Sequence, residues 1–476
     1  MSKTAFRRFL LTSIPAALIA TTSFAGATGI TRTFVAGPTL GARPQTQRSL
    51  VQRDANSTPR TTFVAGGATL PALAYLGSSA LSENPGIPVS GSVLGEFLTL
   101  TGVTTQYCQT GSGFGKKVFD GDPGAGGVNG PCAALGTSPG TTNGFGAPAS
   151  LGLTDPDITG ADAPLAQSEY SEFITNKGGT RLEPVELPSI VGSIALLYND
   201  PDIPIQTQVN LTDAQICGIV EGKITNWSQL GRKARALFFV YRSDGSGTTF
   251  SFSNHLLAVC TASGLNTSQN FTGATPPNVD VFPGTLPLNF VGESGNVGVT
   301  DEVVATAGAV GYVEAANAKS AVGGSVQFAK VNERDPIKDL PQSAAVLTYD
   351  AKNISVDSAV VTTGGPATVA ALTGVPKAGC VLLTNPSAYA NIKSSTGYTI
   401  VAVTNLLFSA SGNGSTNAAN LQTLITELNT PSLFGNQITT VNPASKTTGT
   451  GTTGYSALGA SFNAKLKSTA KACIHV

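Results

Sequence analysis

The residues best suited to chemistry lie in one run, Phe239-Val240-Tyr241-Arg242-Ser243-Asp244-Gly245-Ser246-Gly247-Thr248-Thr249-Phe250. An apolar stretch leads into a Gly-Ser-Gly turn, and a helix-like pattern follows. Glycines permit backbone angles that bring successive N–H groups round to one point. The first turn of the helix adds its unpaired N–H groups and the positive end of its dipole. Ser246 and Thr248 add hydroxyls and Arg242 a rigid guanidinium fork, so the run suits a tetrahedral oxyanion. Asp244, two residues on, is placed to orient that guanidinium. A bare GSGT would read as an ordinary strand-to-helix turn capped by Ser or Thr; the arginine and aspartate at fixed offsets favour the anion site.

Three further pieces repeat the pattern more weakly. In Val64-Ala65-Gly66-Gly67-Ala68-Thr69-Leu70-Pro71 a β-run meets a glycine pair, with Pro71 at a plausible first helical turn. Gln109-Thr110-Gly111-Ser112-Gly113-Phe114-Gly115-Lys116-Lys117 is a second Gly-Ser-Gly turn before a helix, without the lysine-then-hydroxyl spacing of a nucleotide loop. Alone, each reads as a cap or turn. Ile158-Thr159-Gly160-Ala161-Asp162-Ala163-Pro164-Leu165 sets Asp162 at a turn, where a carboxylate is ordinarily a solvated cap.

Such turns need strands and helices to aim them. Ile194–Tyr198, Ala236–Tyr241, Val310–Val313 and Tyr398–Val403 read as buried strands. Thr212–Glu221 and Thr248–Val259 read as helices, the latter with Phe252, Leu256 and Val259 on one face. Alternation of this kind predicts α/β lobes with mainly parallel sheets flanked by helices. Gly121–Ser150 and Ser445–Gly454 read as Gly-rich insertions without elements of their own. The first is long for a structureless loop, and such loops cover sites or move.

The 476 residues allow two or three domains. Lys3, Arg7 and Arg8 precede an apolar run from Phe9 to Ala20 and small residues around Ala25 and Ala27, which reads as a signal peptide over 1–27. That run is too short to span a bilayer, which takes about 20 residues. No later stretch is long and apolar enough to do so, and the expected product is an exported protein with no membrane span in its mature form. Residues 28–60, rich in Thr, Arg, Pro and Gln, read as a flexible leader. Within it Thr33-Phe34-Val35-Ala36-Gly37 echoes Thr62-Phe63-Val64-Ala65-Gly66, by chance or by local duplication in the simplest account, by mimicry of the first strand in another. Beyond residue 60 there are 20 basic and 27 acidic residues. An acidic body argues against a nucleic-acid partner, whose phosphates call for clustered Lys and Arg. Any anion must therefore be held by local dipoles and hydrogen bonds. Six cysteines in an exported chain favour disulfides over metal, there being no C-x-x-C and only His255 and His475. Of the fifteen pairings six cysteines allow, that of chain neighbours is the working guess: Cys108–Cys132, Cys217–Cys260 and Cys380–Cys473.

The four glycine-bearing pieces occur together, in order, in one family. The chain resembles the phosphate-binding proteins of bacterial phosphate ABC transporters, and within that superfamily the DING-type branch. The carrying motifs are GGATLP (66–71), GSGFG (111–115), GADAPL (160–165) and RSDGSGTTF (242–250), supported by Gly222–Trp227, Gly308–Glu314 and Gly397–Phe408. The likeness runs from about residue 62 to the C-terminus. It departs where Thr62-Phe63-Val64-Ala65 replaces the D-I-N-G opening, and in a longer interval between Ser112 and Asp162.

The resemblance implies a two-lobed Venus-flytrap fold, with lobe I from 61–195 plus 395–476 and lobe II from 196–394. It implies phosphate contacts from Thr69, Leu70, Ser112, Asp162, Arg242, Ser246, Gly247 and Thr248, with Asp244 behind Arg242. It implies no cofactor, a monomer, and an ABC permease as partner unless the protein is a free scavenger. The rival function is a secreted phosphatase, for which Ser246 lacks an evident base.

Overall fold

In the computed structural model, which describes residues 55–476 apart from 205–206, 262–263, 275–277, 363–364, 375–377, 393, 429–452 and 459, ten strands form one sheet. They are β1 (Thr62–Gly67), β2 (Thr104–Gln109), β3 (Ile158–Ala161), β4 (Pro184–Asn199), β5 (Phe238–Arg242), β6 (Phe290–Glu293), β7 (Ala309–Glu314), β8 (Val326–Phe328), β9 (Val401–Ser409) and β10 (Tyr455–Ala457). Their order is β2-β1-β3-β9-β4-β7-β5-β6, with β8 and β10 also paired to β4. The signal peptide, the Thr33–Gly37 echo and most of the Ser445–Gly454 insertion lie outside the described residues.

The sheet has two parallel trios, β2-β1-β3 and β7-β5-β6, joined by two long strands that run antiparallel to their neighbours. Parallel neighbours need a crossover, usually helical, and the trios have them; the two joining strands carry the chain between halves instead. The fold is the expected two-lobed α/β architecture, and within the ten-stranded sheet the parallel pairing is confined to the trios. All sixteen residues of β4 are buried. It pairs with β9 through Pro184–Ser193 and then with β7 through Ile194–Tyr198. The strand expected over Tyr398–Val403 begins at Val401 and continues to Ser409. Tyr398 instead sends its hydroxyl to the Ile194 carbonyl.

Each glycine turn leads from a strand into a helix, giving α1 (Ala72–Leu76), α2 (Ser112–Asp120), α3 (Gly247–Val259) and α4 (Gly295–Ala305) after β1, β2, β5 and β6. The disulfides join Cys108–Cys132, Cys217–Cys260 and Cys380–Cys473. Over Gly121–Ser150 the chain has no strand and no α-helix, yet it is packed: Val128 and Phe145 bury against Val64 and Cys108, and the Gln106 amide donates to the Phe145 and Gly146 carbonyls.

Two boundaries differ from expectation. Residues 55–60, expected in the leader, bond to the body: Asn56 is buried, Asn417 donates to the Asn56 and Thr58 carbonyls, and Arg60 forms a two-pronged ion pair with Asp157. Hydrogen bonds to buried Asn56 and an ion pair to a buried carboxylate fix this stretch to the body. Residues of the 354–384 segment, expected in lobe II, bond to the other half as well. The Glu186 amide donates to the Cys380 carbonyl, the Val360 amide to the Leu165 carbonyl, and Cys380 is bonded to Cys473. Among the described residues no helix is long and apolar enough to cross a membrane.

Candidate functional site

Arg242 ends β5 and is 1% exposed. Its Nε donates to Asp244 Oδ1 at 2.6 Å and its Nη2 to Oδ2 at 2.5 Å, the two-pronged geometry that fixes a guanidinium plane. Burial alone would lower the arginine's pKa, but the Asp244 carboxylate outweighs it and the group is held above its usual value. Asp244 is steadied in turn by the Gly295 amide at 3.0 Å. The third prong, Arg242 Nη1, lies 3.4 Å from both Thr248 Oγ1 and Asn296 Oδ1. Ser246 caps α3, its Oγ accepting from the Thr249 amide at 3.1 Å. The ordinary capping role and the anion-site reading thus coexist, since a hydroxyl that accepts from its helix still has a proton to donate.

Asp162 follows β3 and is also 1% exposed. Its amide donates to Ser112 Oγ at 3.0 Å, and its Oδ1 accepts from Thr404 Oγ1 at 2.5 Å. Its Oδ2 is buried with no protein partner. Burial pushes this carboxyl up to about 7, against the Thr404 hydrogen bond and the Arg242 charge. Thr69, just before α1, likewise has a buried hydroxyl oxygen without a partner. Leu70 is wholly buried, its carbonyl accepting from the Tyr455 hydroxyl at 2.6 Å.

The two Gly-Ser-Gly turns face each other. The Gly113 amide donates to the Gly245 carbonyl at 2.8 Å. Gly111, at φ +81°, lies against Asp244 and Gly245 with no room for a side chain. A Cβ at Gly247 would fall on Ser112 Oγ and Asp162 Cβ, so the β5–α3 turn touches the other half where Asp162 sits. Glycine is required here by contact rather than by backbone angle. Thr69, Ser112 and Asp162 thus come from the β1–β3 half, while Arg242, Asp244, Ser246, Gly247 and Thr248 come from the β5–β6 half. Leu135–Thr137 of the Gly121–Ser150 insertion line one small opening beside Thr69 and Asp244, and Ser138 and Pro139 line a larger one, of about 300 Å³, beside Ser243 and Gly245. A cavity of about 250 Å³ adjoins the turns, walled by Gly113, Pro164 and Phe250 and by a Lys116–Glu169 ion pair at 2.8 Å.

Sequence reasoning missed two members of this constellation. Asn296 lies in the first turn of α4; its Oδ1 accepts from Arg242 and from the Glu314 amide, and its Nδ2 is buried and unpartnered. A signal was present: Glu293-Ser294-Gly295-Asn296 is one more strand–glycine–helix junction. Thr404 comes from the middle of β9 and has no local signal, because its contact lies 242 residues away. Among the described residues no group of three His, Cys, Asp or Glu is placed to hold a metal ion.

Residues 84–378 match the family model of a PBP superfamily domain. A protein named alkaline phosphatase L, from Pseudomonas aeruginosa PAO1, is 30% identical over 347 residues, 72% of this chain and 73% of the relative. A solved phosphate-binding protein from Stenotrophomonas maltophilia is 25% identical with a TM-score of 0.51, over 78% of this chain and 84% of its own. The periplasmic phosphate-binding protein PfluDING, solved with phosphate bound, superposes with a TM-score of 0.56 at 20% identity, covering 86% of this chain and 93% of its own, a likeness of fold.

Proposed function

The chain belongs to the PBP superfamily, and on that premise we propose that it binds inorganic phosphate, as the singly protonated dianion, in a cleft between two lobes. Lobe I takes 61–195 with 395–476 and lobe II most of 196–394, the 354–384 segment bonding to both. Thr69, Leu70, Ser112, Asp162, Arg242, Ser246, Gly247 and Thr248 supply the contacts, through amides as well as side chains.

One observation carries this reading: a guanidinium locked by Asp244 and a carboxylate with an unpartnered buried oxygen meet at the same pair of glycine turns. A carboxylate repels an anion unless the anion brings a proton. Hydrogen phosphate brings one; sulfate at neutral pH does not. Sulfate would set two acceptors against each other in a dry cleft, at a cost of about 1–3 kcal/mol or more. Asp162 therefore serves selection against the wrong ion as well as binding of the right one. Closure over the ion needs only that the ion favour the closed form, which contacts from both halves provide.

Calorimetric titration with phosphate and with sulfate, on wild type and Asp162→Asn, tests this. The expected result is tight phosphate binding, no sulfate binding, and a narrowed gap in the variant. Equal wild-type affinity for the two ions would sink it. We also infer export, with delivery of phosphate to an ABC permease or simple scavenging; a permease gene beside this one would distinguish them.

A phosphatase is the second reading, favoured by the name of the Pseudomonas relative. It needs an activated nucleophile. Ser246 Oγ is engaged with the Thr249 amide, while His255 bonds to the Ala390 carbonyl and Asp213. Ester turnover that persists on purification and vanishes in Ser246→Ala would favour the enzyme.

A further inference from the structure

Building on the phosphate reading above, we propose that Thr404 is a positioning residue that fixes which oxygen of Asp162 faces the ligand, and thereby sets the preference for a protonated anion. The backbone explains how a mid-strand residue reaches the site. Along the β9–β4 ladder Thr404 pairs with Ile190 and Asn405 with Pro188, so Ser189 is an extra residue on β4. Bulges of this kind twist a strand and re-aim its side chains. Here Ser189 Oγ donates to the Thr404 carbonyl at 3.0 Å and is joined to the Tyr75 hydroxyl at 2.9 Å. Thr404 is thus held by its main chain, and as a β-branched residue it has a stiff χ1. Its hydroxyl has one proton, and a carboxylate oxygen can only accept it.

Asp162 is then gripped at both ends, its amide by Ser112 and its Oδ1 by Thr404. Oδ2 alone is left to meet a ligand. The other groups facing this carboxyl are Arg242 from β5 and the hydroxyls of Tyr75, Tyr107, Tyr389 and Tyr455. Burial holds all four tyrosines well above their ordinary range, so they stay neutral at any pH of interest. Thr404 and Arg242 are therefore what favour the ionised form. Removing a donor to the charged form raises an acid's pKa. Without the hydroxyl, Asp162 keeps its proton to higher pH, loses its role as acceptor for phosphate, and gains one as donor to sulfate.

The test measures the ratio of phosphate to sulfate affinity between pH 6 and 9 for wild type, Thr404→Val, Thr404→Ser and Asp162→Asn. In wild type the ratio falls as pH drops through the Asp162 titration. T404V should lower the ratio at pH 8 by roughly 10-fold or more and move the midpoint up by about one pH unit. T404S should keep both near wild type, and T404V added to Asp162→Asn should change the ratio no further. If T404V does not fold, Thr404→Ala is read in the same way. A folded T404V with the wild-type ratio and midpoint, or a T404S that behaves like T404V, overturns the proposal while leaving the phosphate reading intact. Failure of the wild type to bind phosphate would overturn both.

Discussion

The two halves of the site treat their charges in opposite ways. On the β5–β6 side the Arg242 cation is matched by Asp244 at 2.5 and 2.6 Å, within its own turn, and is held above its usual pKa. On the β1–β3 side Asp162 has a single hydroxyl donor to its carboxyl and an oxygen with nothing to bond, and burial raises it to about 7. One half is a permanent cationic fork. The other is an acceptor whose state depends on pH and on what it meets. The lesson is that affinity and selectivity can reside on different lobes of one cleft.

Breaking the fork should cost most. Arg242→Leu strands Asp244 as a buried unpaired carboxylate, expected to cost about 3–5 kcal/mol of stability and to abolish phosphate binding. Thermal denaturation and titration would show both. The same denaturation on ligand-free Asp162→Asn should show no loss, because a carboxyl already disfavoured by burial is replaced by a neutral group. A comparable loss in the two variants would erase the contrast between the halves.

Gly247→Ala tests their contact. The added methyl falls on Ser112 and Asp162 only where the halves touch. Overpacking of this kind costs about 1–3 kcal/mol, so phosphate affinity should fall roughly 10- to 100-fold; unchanged affinity would mean the halves need not approach. Asn296→Ala removes a group that touches Arg242 Nη1 and offers a buried donor of its own. A lost hydrogen bond of about 1 kcal/mol predicts affinity weaker by roughly 5-fold, by titration.

The gentlest test is pH. Burial raises Asp162 to about 7 and Asp120, Glu186 and Glu314 to about 8. Between the ordinary carboxylate range and these values the folded protein holds protons that the unfolded chain has released. Its stability without ligand should therefore fall as pH rises from about 5 to 8. Asp155, whose burial is outweighed by Lys177 and Arg181, is held below the ordinary carboxylate range and has lost its proton before this window begins, so it leaves the slope unchanged. A melting temperature that rises over that window would refute the prediction, and phosphate should flatten the slope by needing Asp162 ionised.

What was legible in the sequence was local. Strand, glycine turn and helix stand next to each other in the chain at Gly66–Pro71, Gly111–Gly115 and Arg242–Phe250, so residue types announce the geometry. The Arg242–Asp244 pair was readable because a two-residue offset suffices to join them. Thr404 was not, since its role rests on an extra residue, Ser189, in a strand laid beside it by the fold. The bonds that residues 55–60 and 354–384 make to the rest of the fold were not legible for a similar reason. The contacts of Arg60 with Asp157, of Val360 with Leu165 and of Cys380 with Glu186 join residues that distance along the chain separates.

The three disulfides bear on how this protein is made. Each cysteine is bonded to the next one along the chain, at separations of 24, 43 and 93 residues. A chain delivered N-terminus first into an oxidising compartment would meet its correct partner before any wrong one has emerged. No bond would have to be undone and remade.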